Sequence, residues 1–363
     1  MLVWNRCGGL PTRYKNLKRT GLKASVLACG SHIYPDKLWH HPGVSQEQCN
    51  EVYNYALDRG INTIVTNTAY KIAEDKLHEA IGHRRDQFIL SVGTDYRSER
   101  LAEKDINKSL ERFHTKYIDI YQMSGIRRVD AVERAVRPDG ALQALVKAKH
   151  QGKIGHIGVA GHSPDALVKA IKSGEVECCQ FVLNLAVRQG LKKLIPVAKE
   201  YGVDLFVMRP LEDGWLKSRA QMGMRFLFSS PVDVVISGMY TKEVIDTNIA
   251  LAESEPTQDE WHTLLKDAES ISPSQCEACM LCKGHWFDYD GTACPKWIDI
   301  YDLIALRNFR KRYGLSPDQE ARYRAAAAKI KECNECMRCE AVCIYNVPIV
   351  QTLRDIACEL ELS

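Results

Sequence analysis

The chain has 363 residues, of which 45% are hydrophobic and 26% charged, and its formal net charge is +3. This composition is typical of a globular protein with a large core and a smaller second domain. So small a net charge gives no reason to expect binding to nucleic acid or to a membrane surface. No apolar run approaches the roughly 20 residues that cross a bilayer, and the N-terminus lacks the residue order of a signal peptide. We therefore expect a cytoplasmic protein.

Residues 24 to about 250 alternate short β-branched runs with amphipathic stretches. Ser45 and Gln48 have capping-box spacing before a helix that presents Val52, Ala56 and Leu57 on one face. Strands that alternate with helices imply a parallel sheet, and eight such units usually close into a (β/α)8 TIM barrel, an α/β fold. The alternative is an open doubly wound sheet, but no G-x-G-x-x-G loop follows an early strand. The predicted strands are Ala24–Cys29, Ile61–Val65, Phe88–Val92, Tyr117–Tyr121, Ile154–Val159, Cys178–Leu183, Val203–Val207 and Val232–Ile236.

The pattern changes near residue 270, where a polar linker at residues 272–274 begins a cysteine-rich tail. We predict a barrel domain over residues 1–270 and a small, mostly helical, ferredoxin-like domain over residues 271–363. Within the tail, Trp297–Arg312 and Pro317–Lys331 are predicted helices, with a cysteine triplet at either end of the pair.

Nine of the 14 cysteines lie between Cys276 and Cys358. In a chain without an export signal, two C-x2-C-x2-C triplets favour metal binding over disulfides. The second run continues to C-x2-C-x2-C-x3-C, the ferredoxin spacing, in which the fourth cysteine ligates the other cluster when there are two. We therefore predict two 4Fe–4S clusters, one held by Cys276, Cys279, Cys282 and Cys343, and the other by Cys333, Cys336, Cys339 and Cys294.

Zinc is the alternative to these clusters, but structural zinc prefers two separated cysteine pairs. Two tight triplets with two remote cysteines fit cubane clusters better. Cys358 is left over and is expected to be a buried thiol, and adjacent Cys178 and Cys179 are expected to fill both faces of a strand.

The barrel region resembles the aldo/keto reductase family, and the tail resembles the iron–sulfur branch of that family, in which a ferredoxin-like domain follows the barrel. The resemblance covers most of the chain and depends on the order of several short motifs rather than on any one of them. These motifs are Thr20–Lys23, Gly60–Asn62, Lys153–Gly158, Gly161–Pro164, Met208–Leu211, Ile236–Met239 and Asn248.

The resemblance implies an NADPH-dependent carbonyl reductase with an Asp, a Tyr, a Lys and a His at the barrel mouth. Tyr70 keeps the tyrosine position, whereas Val65, Gly93 and Ser124 stand at the positions of the other three. A tyrosine with an ordinary pKa near about 10 and no cationic neighbour is a poor general acid at neutral pH. We therefore expect a degenerate tetrad with Tyr70 as the remaining candidate catalytic residue.

The same resemblance implies a nucleotide site whose residues are only partly present. Gln180 and Asn184 match the carboxamide-binding Gln and the Asn beyond it, and Gly238 and Asn248 keep the spacing of the last phosphate-binding loop. The Ser-Asn pair after the fifth strand is replaced by Ala160 and Gly161. Binding of NADP(H) is therefore left open, because Gly238 and Asn248 could equally serve the turn and the helix alone.

Three further side chains are candidates for substrate binding at the barrel mouth. Ser124 follows the fourth strand, His162 the fifth and Arg209 the seventh, on the face where barrel active sites lie. His162 directly precedes a helix N-cap at Ser163, so a purely structural turn explains this residue equally well. An ion pair with Glu212 or Asp213 would explain Arg209 equally well.

The function that these features favour is an iron–sulfur oxidoreductase acting on a small-molecule substrate or a redox partner protein. Two alternatives remain. One is a non-catalytic electron-transfer or accessory subunit, and the other is an NADP-dependent reductase with recruited acid groups.

Overall fold

A computed structural model describes residues 12–31, 45–70, 72–212, 214, 216–253, 257–269, 271, 276, 281–282 and 294–362. Within them, a two-stranded antiparallel hairpin precedes eight parallel strands that close into a barrel in the order β10-β3-β4-β5-β6-β7-β8-β9. The predicted (β/α)8 barrel is therefore confirmed. The strands are β1 Tyr14–Asn16, β2 Lys23–Ser25, β3 Leu27–Gly30, β4 Thr63–Val65, β5 Ile89–Thr94, β6 Ile118–Ile126, β7 Ile154–Gly161, β8 Cys178–Val182, β9 Asp204–Met208 and β10 Val234–Ser237.

Helices surround the barrel and continue into the tail of the chain. Those around the barrel are α1 Gln46–Asp58, α2 Ala73–Ile81, α3 Glu99–Arg112, α4 Val129–Ala135, α5 Ala141–His150, α6 Pro164–Ile171, α7 Gln189–Lys193, α8 Ile195–Glu200, α9 Ala220–Ser229, α10 Lys242–Glu253 and α11 Gln258–Glu269. Those of the tail are α12 Ile300–Tyr313, α13 Pro317–Ala327, α14 Arg338–Ala341 and α15 Ile349–Glu359. In the described ranges no helix is both long and apolar enough to span a bilayer.

The first predicted strand, Ala24–Cys29, is wrong as a single element. The chain instead forms β2 and β3, which belong to different sheets and meet at Val26. Ser25 causes the break, because its hydroxyl donates to the carbonyl of Leu27 at 2.6 Å and its amide donates to Asn62 Oδ1 at 2.8 Å. The hairpin of β1 and β2 was not predicted.

The hairpin closes the end of the barrel where the strands begin. The Asp204 carboxylate, at the start of β9, accepts hydrogen bonds from the amides of Arg19 and Thr20 at 3.1 and 2.9 Å. Leu17 packs with the barrel interior beside Ile89 and Phe206. The opposite end, where the strands finish, is therefore left as the mouth of the barrel.

The sequence signals at helix ends are largely confirmed. Ser45 caps α1 by accepting from the Gln48 amide at 3.1 Å, but the Gln48 side chain donates to the carbonyl of Tyr240 rather than completing the box. Ser163 caps α6 with Pro164 at its first position, as expected. In the tail, Ser316 and Gln319 form a full capping box at α13.

The tail packs over the barrel mouth. Tyr345 Oη donates to the carbonyl of His162 at 2.6 Å, and Gln189 Nε2 donates to the carbonyl of Ile344 at 3.3 Å. Within the tail, Arg307 on α12 pairs with Glu359 on α15 at 2.6 Å. These contacts place the helices of the tail against the end of the barrel where the strands finish.

Gly161 ends β7 and lies too close to β6 for any side chain. A Cβ atom at this position would overlap the carbonyl oxygen of Ile126 and lie 2.9 Å from its carbonyl carbon. Since backbone cannot move aside as a side chain does, we expect Gly161→Ala to destabilise the protein by about 1–3 kcal/mol. Gly30→Ala is the matched control, because the nearest atom to its Cβ would be in the Ile236 side chain, at 3.2 Å, and the Ser237 carbonyl oxygen would be at an ordinary 3.9 Å. Chemical denaturation of both variants measures the difference, and equal losses would contradict the expectation.

Candidate functional site

A cavity of about 950 Å³ lies at the barrel mouth, between the strand ends and the tail. The strand ends contribute Tyr70, Ser124, His162 and Arg209 to its wall, so the structure brings together the catalytic and substrate-binding residues predicted for the barrel. The tail contributes side chains from α12 and from the loop before α13. The tail residues that line it are Cys276, Tyr301, Ala305, Asn308, Phe309, Gly314, Leu315, Ser316 and Gln319.

The wall near Tyr70 is shaped by small side chains. Val65 ends β4, and Tyr70 ends the short 3₁₀ turn Thr68–Tyr70 that follows. A Cβ atom on Gly93 would overlap the Ser124 hydroxyl and lie 3.2 Å from Asn67 Nδ2. A lysine at position 93 therefore cannot fit unless Ser124 moves.

Polar side chains that the sequence interpretation missed line the same cavity. Asn67 Nδ2 donates to Asp95 Oδ1 at 3.2 Å, and Asp95 is only 6% exposed. Gln122 Nε2 donates to Ser91 Oγ at 2.7 Å and to Gln180 Oε1 at 3.2 Å. These side chains could have been identified from the sequence by their positions just after or within predicted strands, because strand ends form the wall of a barrel mouth.

The predicted nucleotide-binding residues divide into two groups. Gln180 and Gly238 line the cavity, whereas Asn184 and Asn248 are buried and are not on its wall. Asn184 Oδ1 accepts from the amides of Ala186 and Val187, both at 2.9 Å, and its Nδ2 donates to Glu212 and to the Arg209 carbonyl. Its side chain therefore uses its hydrogen-bonding capacity to join the loop after β8 to the loop after β9.

Arg209 forms the ion pair that was the alternative explanation for this residue. Its Nη2 lies 2.8 Å from Glu212 Oε1, and the two side chains are 13% and 3% exposed. Both residues have left-handed backbones, with φ of 57° and 52°, which costs free energy unless the surroundings hold them. Asp213 lies outside the described residues.

Cysteines from separate segments meet at a second, smaller cavity. Cys294 lines it together with Cys333, Cys336 and Cys339. Burial, together with the neighbouring Glu340 and Cys294, raises the pKa of the Cys339 thiol to about 11. A metal ligand must be a thiolate, so a positive centre would be needed to stabilise this group in its ionised form.

The first cysteine of the first triplet lies at the larger cavity. Cys276 is on the cavity wall and Cys282 is buried, while Cys279 lies outside the described residues. Cys343 Sγ accepts a hydrogen bond from the Val347 amide at 3.4 Å, and it directly precedes Ile344 and Tyr345, which contact the barrel mouth.

In the described part of the chain, no set of three or more His, Cys, Asp or Glu side chains is grouped tightly enough to hold a single metal ion.

The cysteines outside the two runs have simpler surroundings. Cys178 and Cys179 are 1% and 0% exposed in β8, as predicted. The prediction that Cys358 is buried is wrong, since it is exposed. On α15 the buried face is formed by Ile349, Leu353 and Ile356, and Cys358 does not lie on it.

Comparisons with known proteins agree with the barrel. The model of the aldo/keto reductase family matches residues 37–224, more than half of the chain. Aldo-keto reductase YhdN of Bacillus subtilis is 26% identical over 220 residues, which cover 57% of this chain and 64% of that protein. The chain thus spans somewhat less than two thirds of the length of this curated relative.

Solved structures show the same fold. Aldo-keto reductase AKR11C1 from Bacillus halodurans superimposes with a TM-score of 0.60 at 19% identity, covering 71% of this chain and 96% of that one. An aldo-keto reductase from Klebsiella pneumoniae, solved in complex with NADPH, gives 0.58 at 18% identity, with the same coverage.

Proposed function

This chain belongs to the aldo/keto reductase family, and we propose that it is an iron–sulfur oxidoreductase of that family. It would exchange electrons with a small molecule bound at the barrel mouth. The observation that carries the proposal is that Cys276, the first residue of a ferredoxin-like triplet, lines the same cavity as Tyr70 and His162. A redox group held there would lie beside the substrate.

The cysteines around the second cavity have the donor set that a 4Fe–4S cluster needs. Each cysteine of such a cluster bonds a different iron atom, so the four sulfur atoms stand farther apart than the ligands of one zinc ion. Two tight triplets with two remote cysteines suit such clusters better than zinc, which prefers two separated cysteine pairs. Bound clusters supply one-electron transfer. Cys336 is exposed, so this second group lies where a redox partner protein could reach it.

The barrel would bind the small molecule and supply hydrogen bonds and protons. It would not provide the tyrosine acid that other family members use during hydride transfer. Val65 and Gly93 provide no ion pair beside Tyr70, and Ser124 is shorter than a histidine. Tyr70 and His162 can still hydrogen-bond a bound molecule, and Tyr345 fixes the His162 backbone from above. The tail helices limit the access of water to this wall.

An NADP-dependent reductase is the second candidate, favoured by Gln180 and Gly238 on the cavity wall. A relative in the family has been solved with NADPH bound. Against this candidate, position 161 has no room for the asparagine of the Ser-Asn pair that the family has there, because even a Cβ atom would overlap the Ile126 carbonyl oxygen.

The deciding experiment is anaerobic purification of the full chain, followed by iron and sulfide quantification, EPR of the reduced protein, and titration with NADPH. We expect about eight iron atoms and about eight sulfides per chain, from two 4Fe–4S clusters, and no saturable NADPH binding. A preparation with zinc in place of iron would overturn the proposal. Tight NADPH binding with iron present would favour the second candidate, whereas stable copurification with a larger redox enzyme and an empty barrel would indicate an accessory subunit.

A further inference from the structure

Arg127 is a buried cation on the cavity wall that no predicted role uses. Arg127 directly follows β6 and lines the cavity at the barrel mouth, and only 6% of its surface is exposed. Its Nη1 donates to the carbonyl of Gly125 at 3.2 Å, and its Nε, also buried, has no hydrogen-bond partner in the described part of the chain. Among the same residues, no carboxylate forms an ion pair with it.

A buried guanidinium with so few partners is unfavourable by itself. Taking a charge out of water costs much more than one bond to a carbonyl returns, so buried charges are normally paired. Among the described residues, two other cations line the cavity, and they are arranged differently. Arg209 pairs with Glu212, and Lys217 is exposed. Within the same part of the chain, the buried positive charge on the cavity wall is therefore that of Arg127.

From this arrangement we infer that Arg127 binds the carboxylate of a small organic acid, which sets the substrate class of the site. The inference depends on the proposed function for its redox chemistry but not for the binding itself. A guanidinium matches a carboxylate with two parallel hydrogen bonds. The cavity is walled largely by apolar groups such as Val65, Ala305 and Phe309, which suits an apolar acid rather than a sugar.

The nearby side chain of Asp95 favours a carboxylate over a phosphate as the anion that Arg127 would bind. It lies on the same side of Gly125 as Arg127, since a Cβ atom on Gly125 would be 2.8 Å from Arg127 Nη1 and 3.1 Å from Asp95 Oδ1. Asn67 Nδ2 donates to the same carboxyl oxygen at 3.2 Å. A phosphate dianion carries two negative charges, and the single guanidinium of Arg127 can offset only one of them beside the Asp95 carboxyl. A carboxylate carries one negative charge, which one guanidinium can offset.

The test measures ligand-induced shifts in thermal unfolding of the full chain under anaerobic conditions. The probes are propionate, benzoate and phenylacetate, each paired with its primary amide, and inorganic phosphate. We expect at least one carboxylate to bind about tenfold or more tightly than its amide, and phosphate to compete poorly. A wild-type protein that prefers none of the three carboxylates over its amide, or that binds phosphate better, would overturn the inference.

Variants locate the site. Arg127→Gln should remove the preference for the carboxylate, and Arg127→Lys, which keeps the charge but loses the paired geometry, should retain part of it. Arg128→Gln is the matched control, because Arg128 is exposed and pairs with Asp130. Carboxylate preference that survives Arg127→Gln would place the acid elsewhere. Iron content, measured on the same samples, tests the proposed function separately, since lost clusters with intact carboxylate binding would contradict only that proposal.

Discussion

Replacing Cys294 with serine is expected to halve the iron content, from about eight to about four atoms per chain. Cys294 lies 39 residues before Cys333 in sequence, yet it lines one cavity with Cys333, Cys336 and Cys339. If these four residues hold one cluster, a serine removes one of its thiolates while the ligands of the other cluster stay intact. EPR of the reduced variant should therefore keep the signal of one cluster and lose the interaction between two.

Cys358→Ser is the matched control for this substitution, because Cys358 is exposed and belongs to neither run. It should leave the iron and sulfide content unchanged. Reconstitution of both variants with iron and sulfide separates slow assembly from a lost ligand. If Cys294→Ser instead removes the cluster held by Cys276 and Cys282, the crossed assignment of ligands is wrong and the segment between Cys282 and Cys294 is a simple loop.

The barrel was predictable because its signal is periodic. Eight apolar runs alternate with amphipathic ones, and Gly152, Gly174 and Gly202 mark the ends of three connecting segments, with φ of 69°, 89° and 67°. The hairpin was missed because β1 is only three residues long and its sequence, YKN, has no apolar alternation. Its order comes from contacts with distant residues such as Asp204, which no local pattern reports.

The site was predictable only in part, for a related reason. The spacing of the tail cysteines identified the candidate ligands because short ligand runs are local. Asn184 is hydrogen-bonded to the carbonyl of Arg209 and to Glu212, which lie 25 and 28 positions away in the sequence. No local pattern could therefore show that Asn184 holds a loop. Arg127 was missed because its burial depends on where β6 ends and how the tail covers the mouth.

The cysteine that the sequence interpretation assigned wrongly shows the same limit. Cysteine is often buried, which was the basis for expecting Cys358 in the core. Its exposure depends instead on which face of α15 meets α12 and α14, and that is set by Ile349, Leu353 and Ile356. Composition gives an average tendency, whereas packing decides the individual residue.

The last expected result concerns catalysis: the isolated protein should not turn over aldehydes or ketones with NADPH. The resemblance aligns Val65 and Gly93 with the Asp and Lys of the family, and neither residue can form an ion pair. The space for a lysine at position 93 is occupied by Ser124 and Asn67. General acid catalysis is typically worth roughly 10²–10⁴-fold, or about 3–5 kcal/mol of barrier, so its absence should be plain beside an active family member.

The assay follows anaerobic oxidation of NADPH with a panel of aldehydes, ketones and quinones, using wild type, Tyr70→Phe and Tyr240→Phe. Tyr240 lines the same cavity at a position with no family role, so it controls for a general effect of losing a hydroxyl. We expect all three proteins to be equally inactive, because no acid in the family arrangement is available to lose. Robust turnover that Tyr70→Phe abolishes and Tyr240→Phe leaves intact would refute the expectation. It would show that Tyr70 still donates the proton, with Asp95 and Asn67 as polar groups on the same cavity wall that could assist it.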